Sequence, residues 1–371
     1  MAWLKEATNP AELDTHFLRR VAEGILRRIR SEFLTGFVEE RIALRTLHGP
    51  DPQATQMSAA NWFGEHGGIE TPVVALGANN ALGVVQALKL RWSGPGFDDI
   101  TQKDKYNLWT PDHFAHEYGL LVDQVREIDA KHVILATVPH VTVAPILRGV
   151  GEKPYYSRYF ARYTRPWISD ASFDAAIHPC LTGDEARTVD SAIDQYNYTI
   201  KRFVRDARLG VGGHRPRDWY LLDLCGVLDR LAYRRYLASP QSQPDWFEPY
   251  DLPAEMLSLS PRPDARFFGS DPRGRTQGGL FALDGVHPTT IGYSIIAQEV
   301  MTIMSQLAGV EFPDESGTPV AGPARLHVDR WIARDTLVTD PPTLVNELGD
   351  GMAEVNHVID LASFYLGKAP I

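Results

Sequence analysis

The sequence contains few cysteines and no long hydrophobic run, and each absence excludes a class of protein. Two of its 371 residues are cysteine, Cys180 and Cys225, which is too few for a disulfide framework. Neither has the paired spacing of a zinc site, so we expect two buried thiols, no bound metal and no cofactor. No run of roughly 18 apolar residues occurs, so no integral membrane segment is expected.

The sequence also lacks an excess of positive charge. Lys and Arg total 37 against 47 Asp and Glu, which gives a formal net charge of −10 at pH 7, whereas a nucleic-acid-binding domain normally presents a basic surface. The first residues, from Met1 to Thr8, lack the basic and apolar regions of a secretory leader. We therefore expect a soluble, cytoplasmic protein with no nucleic-acid partner, although an export signal upstream of Met1 would change the location. The sequence indicates no particular oligomeric state.

Short apolar runs alternate with helical patterns through the middle of the chain. The runs at 71–76, 132–138 and 219–223 have the length of buried strands, and amphipathic patterns over 110–128 and 190–207 separate them. This order predicts a parallel sheet covered by helices on both faces. The expected fold class is therefore α/β, with three layers in the order α/β/α.

Three regions follow from where this pattern begins and ends. Residues 1–54 are expected to form an N-terminal helical segment, with an amphipathic helix over 11–34. Residues 55–310 are expected to form the α/β domain. Residues 311–371 are expected to be an appendage, whose role the sequence does not reveal, with a further helix near 356–365.

Two long segments without a regular pattern, 148–182 and 238–279, interrupt the predicted domain. Both are rich in aromatic residues, Pro and Arg, and loops of this length inside a domain are usually lids or binding walls. The first segment follows the strand that ends near His140, so we expect it to flank the carboxyl edge of the sheet. His140 is interpreted either as lining a pocket at that edge or as packing within the loop.

The strongest local motif is Asp284-Gly285-Val286-His287, followed directly by a helical pattern. An Asp three residues before a His on a tight turn can direct its carboxylate at the imidazole, fix the tautomer and stabilise the imidazolium formed during proton transfer. The alternative is that Asp284 only caps the turn and His287 is an ordinary loop histidine.

A second motif, Gly77-Ala78-Asn79-Asn80, follows the first predicted strand. Ligands gather at the carboxyl ends of strands in open α/β sheets. Glycine permits close backbone approach, and an Asn side-chain amide is a neutral donor suited to a developing oxyanion. The alternative is an ordinary turn from strand to helix, where Gly and Asn are common.

In this order and separation, the two motifs resemble the Gly-x-Asn-Asp and Asp-x-x-His blocks of the SGNH/GDSL serine hydrolases, over roughly residues 55–310. The resemblance implies a flavodoxin-like fold and cleavage of small-molecule carboxylic esters. It assigns Gly77 and Asn79 to the oxyanion hole, Asp284 to the orienting acid and His287 to the general base. Asn80 departs from the family's usual Asp and is expected only to line the pocket.

The family's Gly-Asp-Ser nucleophile block has no counterpart upstream of Gly77. The serines before it, Ser31 and Ser58, fall in helical patterns, where a hydroxyl more often faces solvent or bonds to the backbone. The nucleophile is therefore unknown, and the family's first strands also lack a convincing match. A truncated chain of low activity is expected. The alternative is a non-catalytic binding or interaction module built on the same fold.

Overall fold

The computed structural model describes residues 55–99, 105–154, 157–238, 243–314, 316–320, 322–343 and 345–346. The helical segment expected over 1–54 and the helix expected near 356–365 lie outside these residues. The chain divides into two compact units, Met1–Trp62 and Phe63–Ile371. Of the first unit only residues 55–62 are described, and every strand of the described residues belongs to the second unit.

Short strands and helices alternate along the described residues. The helices are α1 (Gln56–Gly67), α2 (Asn79–Ala87), α3 (Pro111–Glu127), α4 (Gly183–Leu209), α5 (Leu224–Leu231), α6 (Ala254–Leu257), α7 (Thr290–Gln306), α8 (Val328–Ile332) and α9 (Thr336–Thr339). The strands are β1 (Val73–Val74), β2 (Val133–Ala136), β3 (Arg148–Gly149), β4 (Arg162–Thr164), β5 (Leu181–Thr182), β6 (Trp219–Leu222), β7 (Gly269–Asp271), β8 (Gly274–Gln277), β9 (Phe312–Pro313) and β10 (Pro319–Val320).

The three predicted strands form one parallel sheet in the order β1-β2-β6. Ile134 in the middle strand pairs with Val73 on one side and with Tyr220 on the other. All four residues of β2 are buried, as expected for a strand with neighbours on both edges and side chains packed on both faces. The prediction of a parallel sheet from these three runs is confirmed.

Helices pack against this sheet from separate directions. Successive side chains of a strand point to opposite faces, and Ile134, Ala136, Tyr220 and Leu222 share one face, where they pack against Ile296, Val300, Ile303 and Met304 of α7. Trp219 alternates away from this group, and its ring lies 5.3 Å from the guanidinium of Arg126 in α3. The described chain therefore has a mixed α/β fold with a small parallel sheet.

Helix α4 is longer than the predicted 190–207. It begins after Thr182, whose hydroxyl accepts from Glu185 N at 3.1 Å, while the Glu185 carboxylate accepts from Thr182 N at 2.8 Å. It ends before Gly210, which has a φ of 66°. Reciprocal capping at the start and a left-handed glycine at the end are standard helix boundaries. They therefore explain why the helix extends beyond the predicted 190–207 at both ends.

The segments 148–182 and 238–279 are less irregular than predicted. The first contains the antiparallel sheet β3-β4-β5, and the second contains α6 and the hairpin β7-β8. Strands of two to four residues are too short to produce an alternating hydrophobic pattern. The sequence pattern therefore missed them.

The described part of the C-terminal region packs on helix α7, which follows the Asp284-x-x-His287 motif. Val328 of α8 belongs to the same buried cluster as Ile291 and Ile295. Asp335 is 3% exposed and its carboxylate accepts from Ile291 N at 2.9 Å, so it supplies an acceptor for a free N–H at the start of α7. This region therefore helps to fix the helix beside the motif.

None of the helices within the described residues is both long enough and apolar enough to span a bilayer.

Candidate functional site

Asp284 and His287 are in direct contact on the turn that precedes α7. Asp284 Oδ2 lies 2.6 Å from His287 Nδ1. The other carboxylate oxygen accepts from the backbone N–H groups of Val286, at 2.8 Å, and of His287, at 3.0 Å. Three hydrogen bonds therefore fix the carboxylate, and the shortest of them orients the imidazole.

The charge state of this pair suits proton transfer. Burial alone would raise the pKa of Asp284, but its hydrogen bonds to His287 and to two backbone N–H groups hold that pKa below its usual range. An ionised carboxylate at Nδ1 favours the tautomer whose Nε2 is unprotonated, and it stabilises the imidazolium once Nε2 takes a proton. Half of the His287 side chain is exposed, so a solvent-borne molecule can reach the ring.

The turn is held in place by close packing at Gly285. This residue has a φ of 67°, and a Cβ added there would lie 2.7 Å from Ile146 N and 2.9 Å from the Phe267 ring. The Gly285 carbonyl accepts from Ile146 N at 3.0 Å. Only glycine allows both this backbone conformation and such close contact with Ile146 and Phe267. The local packing therefore explains the glycine in the Asp284-Gly285-Val286-His287 motif.

Gly77 and Asn79 lie just beyond the carboxyl end of β1. Gly77 has a φ of 121°, and a Cβ there would lie 2.8 Å from Val138 Cγ2, so packing alone accounts for the glycine. Asn79 is exposed at the first position of α2, whereas Asn80 is half-buried and its carbonyl accepts from Trp109 N at 3.0 Å. An exposed amide at this edge can donate to a ligand, and its approach to His287 stays a prediction.

Both long segments reach the neighbourhood of these motifs. The Trp167 ring of the first segment lies 6.2 Å from the Phe267 ring of the second, and Phe267 packs against Gly285. Arg165 donates to the Val85 carbonyl near the end of α2 at 3.0 Å. The two segments therefore pack beside the Asp284–His287 turn and α2, and their role as a binding wall stays a prediction.

His140 is buried at the centre of a second cluster of charged side chains. Its Nδ1 lies 2.9 Å from Asp229 Oδ2, its Nε2 lies 3.1 Å from Asp194 Oδ1, and the residue is 3% exposed. Burial would lower the pKa of His140, but hydrogen bonds to the two carboxylates outweigh that effect and raise it. His140 is therefore an imidazolium within an ion cluster, and two cavities at this cluster are lined by neighbouring side chains rather than by its ring.

A metal ion does not suit this cluster, although it contains suitable ligand types. Nδ1 of His140, the Cys225 sulfur and a carboxylate oxygen of Asp229 lie within 4.8 Å of one another. Guanidinium nitrogens of Arg158 and Arg235 lie 3.3 and 3.2 Å from the same His140 nitrogen. Burial also raises the pKa of the Cys225 thiol, whereas a metal needs the thiolate. Two fixed cations and a protonated thiol disfavour a third positive charge there.

The partners of His140 were missed by sequence reasoning. Arg235 joins Asp190 to Asp229, with a nitrogen 2.5 Å from an oxygen of each carboxylate. The sequence does contain one indication of such a cluster. Asp190 and Asn197 lie seven residues apart on the apolar stripe of α4, and both are buried. Polar residues on such a stripe require partners, although their identity depends on the tertiary fold.

Neither upstream serine gains support as a nucleophile. In the first unit, the Ser58 hydroxyl donates to the Thr55 carbonyl at 3.1 Å and accepts from Thr55 N at 2.8 Å, which is the backbone bonding expected for a serine at the start of a helix. Ser31 lies outside the described residues.

Comparisons of the chain with protein-family models, with curated proteins and with solved structures found no significant match.

Proposed function

We propose that this chain is a hydrolase of carboxylic esters of the SGNH/GDSL type, with a flavodoxin-like α/β/α domain. The observation that carries the proposal is the 2.6 Å contact between Asp284 and His287 on a turn with a half-exposed imidazole. Hydrolases that form an acyl-serine use such a pair to activate the nucleophile.

In the proposed reaction His287 Nε2 removes the proton from a serine hydroxyl, whose oxygen attacks the ester carbonyl. The Asn79 amide and the Gly77 N–H donate to the oxyanion of the tetrahedral intermediate. His287 then gives its proton to the departing alkoxide, which leaves as the alcohol, and an acyl-serine remains. Water, deprotonated by His287, releases the carboxylic acid and restores the serine. The serine is the one component without an assignment.

A fluorophosphonate probe, which labels activated serines, tests the proposal together with hydrolysis of short-chain aryl esters. The missing Gly-Asp-Ser block predicts weak labelling and hydrolysis in the wild type, and we expect whatever signal depends on the pair to be lost in His287→Ala. His132→Ala is the matched control, because His132 Nδ1 pairs with Asp218 Oδ2 at 2.5 Å but lies just before β2, at the opposite edge of the sheet.

The control makes the outcomes distinct. Labelling lost in His287→Ala and retained in His132→Ala supports the proposal, and peptide mapping of the labelled protein then identifies the serine. Labelling and hydrolysis that are clearly present in the wild type and equal in both variants contradict it.

A non-catalytic binding module is the second candidate, and one cavity favours it. This cavity of about 490 Å³ is bordered by α5, α7 and the aromatic residues Tyr236, Trp246 and Phe247. Its wall also contains charged side chains, those of Arg158, Asp223, Asp229, Arg230, Arg235 and Glu299. Aromatic side chains that bury a ligand, together with polar groups that orient it, are typical of small-molecule sites. Calorimetric titration of an aryl ester that binds without being cleaved, and binds more weakly to Trp246→Ala, would favour this function over hydrolysis.

A further inference from the structure

A small cavity with three arginines in its wall lies between the segment 142–163 and the turn Tyr233–Leu237. Its volume is about 20 Å³, and Arg158, Arg234 and Arg235 line it together with Thr142 and Tyr163. A cavity needs roughly 10–15 Å³ by this measure to hold one water molecule. It therefore accommodates a single water-sized particle.

The three guanidinium groups differ in whether a carboxylate pairs with them. Arg235 is paired with Asp190 and Asp229, and Arg158 with Asp229 at 2.9 Å. Arg234 donates to the Leu147 carbonyl, but no carboxylate of the described residues lies within 4.0 Å of its guanidinium nitrogens.

Arg234 therefore carries a partly buried charge with no carboxylate of the described residues in contact with it. Burial, and next the nearby charge of Arg148, lower the pKa of Arg234 to about 10, so the group remains protonated at neutral pH. Nε of Arg158, and Nε and Nη2 of Arg148, are also buried without a hydrogen-bond partner among the described residues. Of these two arginines, Arg158 lines the cavity, and a buried donor is costly unless a partner satisfies it.

The wall of the cavity is cationic. The guanidinium groups of Arg158, Arg234 and Arg235 line it, and none of the described residues in its wall carries a carboxylate. Arg158 and Arg235 are paired with carboxylates outside the wall, so Arg234 is the lining cation that lacks such a pair.

We propose that this cavity binds one monatomic anion, chloride in physiological solution, between Arg234 and Tyr163. Three lining guanidinium groups with no lining carboxylate attract an anion, and the small volume favours a monatomic ion over sulfate or phosphate. The Tyr163 hydroxyl accepts from Phe160 N at 3.0 Å, so its own proton is available to donate to the anion. The bound ion joins β4 to the turn that carries Arg234 and Arg235, and the site is independent of the proposed ester hydrolysis.

Urea unfolding in sodium chloride and in sodium gluconate, at constant ionic strength, tests the site. An ion that binds only the folded state lowers the apparent unfolding constant about tenfold for each tenfold rise in its concentration above Kd. We expect this dependence on chloride, and none on gluconate, whose anion is too large. Arg234→Met should abolish it. Arg205→Met should retain it, because Arg205 is 62% exposed on α4 and pairs with Asp206.

Diffraction from wild-type crystals grown in bromide gives a direct readout that does not depend on a variant's folding. An anomalous peak in the cavity, within hydrogen-bond distance of the Arg234 guanidinium, supports the site. The proposal is overturned if the cavity contains no such peak. It is also overturned if sulfate and gluconate stabilise the protein as much as chloride does, or if a folded Arg234→Met variant keeps the full chloride dependence.

Discussion

Arg235→Met removes the guanidinium that joins Asp190 to Asp229 and keeps an unbranched side chain of similar reach. The Arg235 and Asp190 side chains are 6% and 1% exposed, so this is a buried ion pair. After the substitution Asp190 retains the hydroxyls of Thr142, at 2.8 Å, and Tyr159, at 2.9 Å, but loses the charge opposite it. Removing one partner of a buried pair typically costs about 3–5 kcal/mol, and we expect a loss of that size at pH 7.

The loss should shrink as the pH falls, which distinguishes a charge effect from a packing effect. In the intact protein, burial raises the pKa of Asp190 to about 6, and removal of Arg235 raises it further. A carboxyl whose pKa is higher in the folded than in the unfolded state adds stability below the unfolded pKa, and that stability is lost as the pH rises through the folded pKa. The variant's Asp190 should therefore take up its proton at a higher pH, and the deficit should be smaller at pH 5 than at pH 7.

Urea unfolding followed by tryptophan fluorescence at both pH values measures these effects. Asp190→Asn in the Arg235→Met background is the control, because it removes the unpaired carboxylate. The double variant should lose less stability than the sum of the two single variants, with an interaction of about 0.5–3 kcal/mol. A loss below about 1 kcal/mol in Arg235→Met, an equal loss at both pH values, or simple additivity would refute the reasoning.

Three further predictions concern the candidate site and its supporting elements. Asp284→Asn should abolish the ester hydrolysis that depends on His287, because the imidazole loses the partner that sets its tautomer, whereas Asp218→Asn should leave it unchanged in the same assay. Gly285→Ala should cost more than about 1 kcal/mol in urea unfolding, because alanine is strained at positive φ and its Cβ meets Ile146; an unchanged midpoint would show that the turn relaxes. Thr182→Ala should cost about 1 kcal/mol by removing the cap of α4, and thermal unfolding that matches the wild type would contradict the capping role.

The elements that the sequence predicted are those specified by nearby residues. The runs at 71–76, 132–138 and 219–223 each contain a strand of the parallel sheet, because an apolar run of strand length is a local signal. The Asp284–His287 contact is also local, since a turn brings residues three apart together. Short strands such as β3 and β5 gave no periodic signal, and the sequence left them as loops.

The cluster around His140 depends on the tertiary fold, and that dependence explains why the sequence did not reveal it. Its histidine meets Asp194, Asp229 and Arg235 at separations of 54, 89 and 95 residues. Each partner belongs to a different helix or turn, so none can be assigned before the chain is folded.

The cluster around His140 is linked to the turn that carries Asp284 and His287. The link is the segment that follows β2, from Val138 to Ile146. Asn197 of α4 accepts from Val138 N at 2.7 Å and donates to the Val138 carbonyl at 2.9 Å. His140 is then held by α4 and α5 through Asp194 and Asp229, and six residues later Ile146 N donates to the Gly285 carbonyl. The turn carrying Asp284 and His287 is thus bonded to a segment whose other end is held by the hydrogen bonds of the buried His140 to Asp194 and Asp229. Packed interiors transmit displacements rather than absorb them, so weakening the cluster should move the imidazole as well as destabilise the fold.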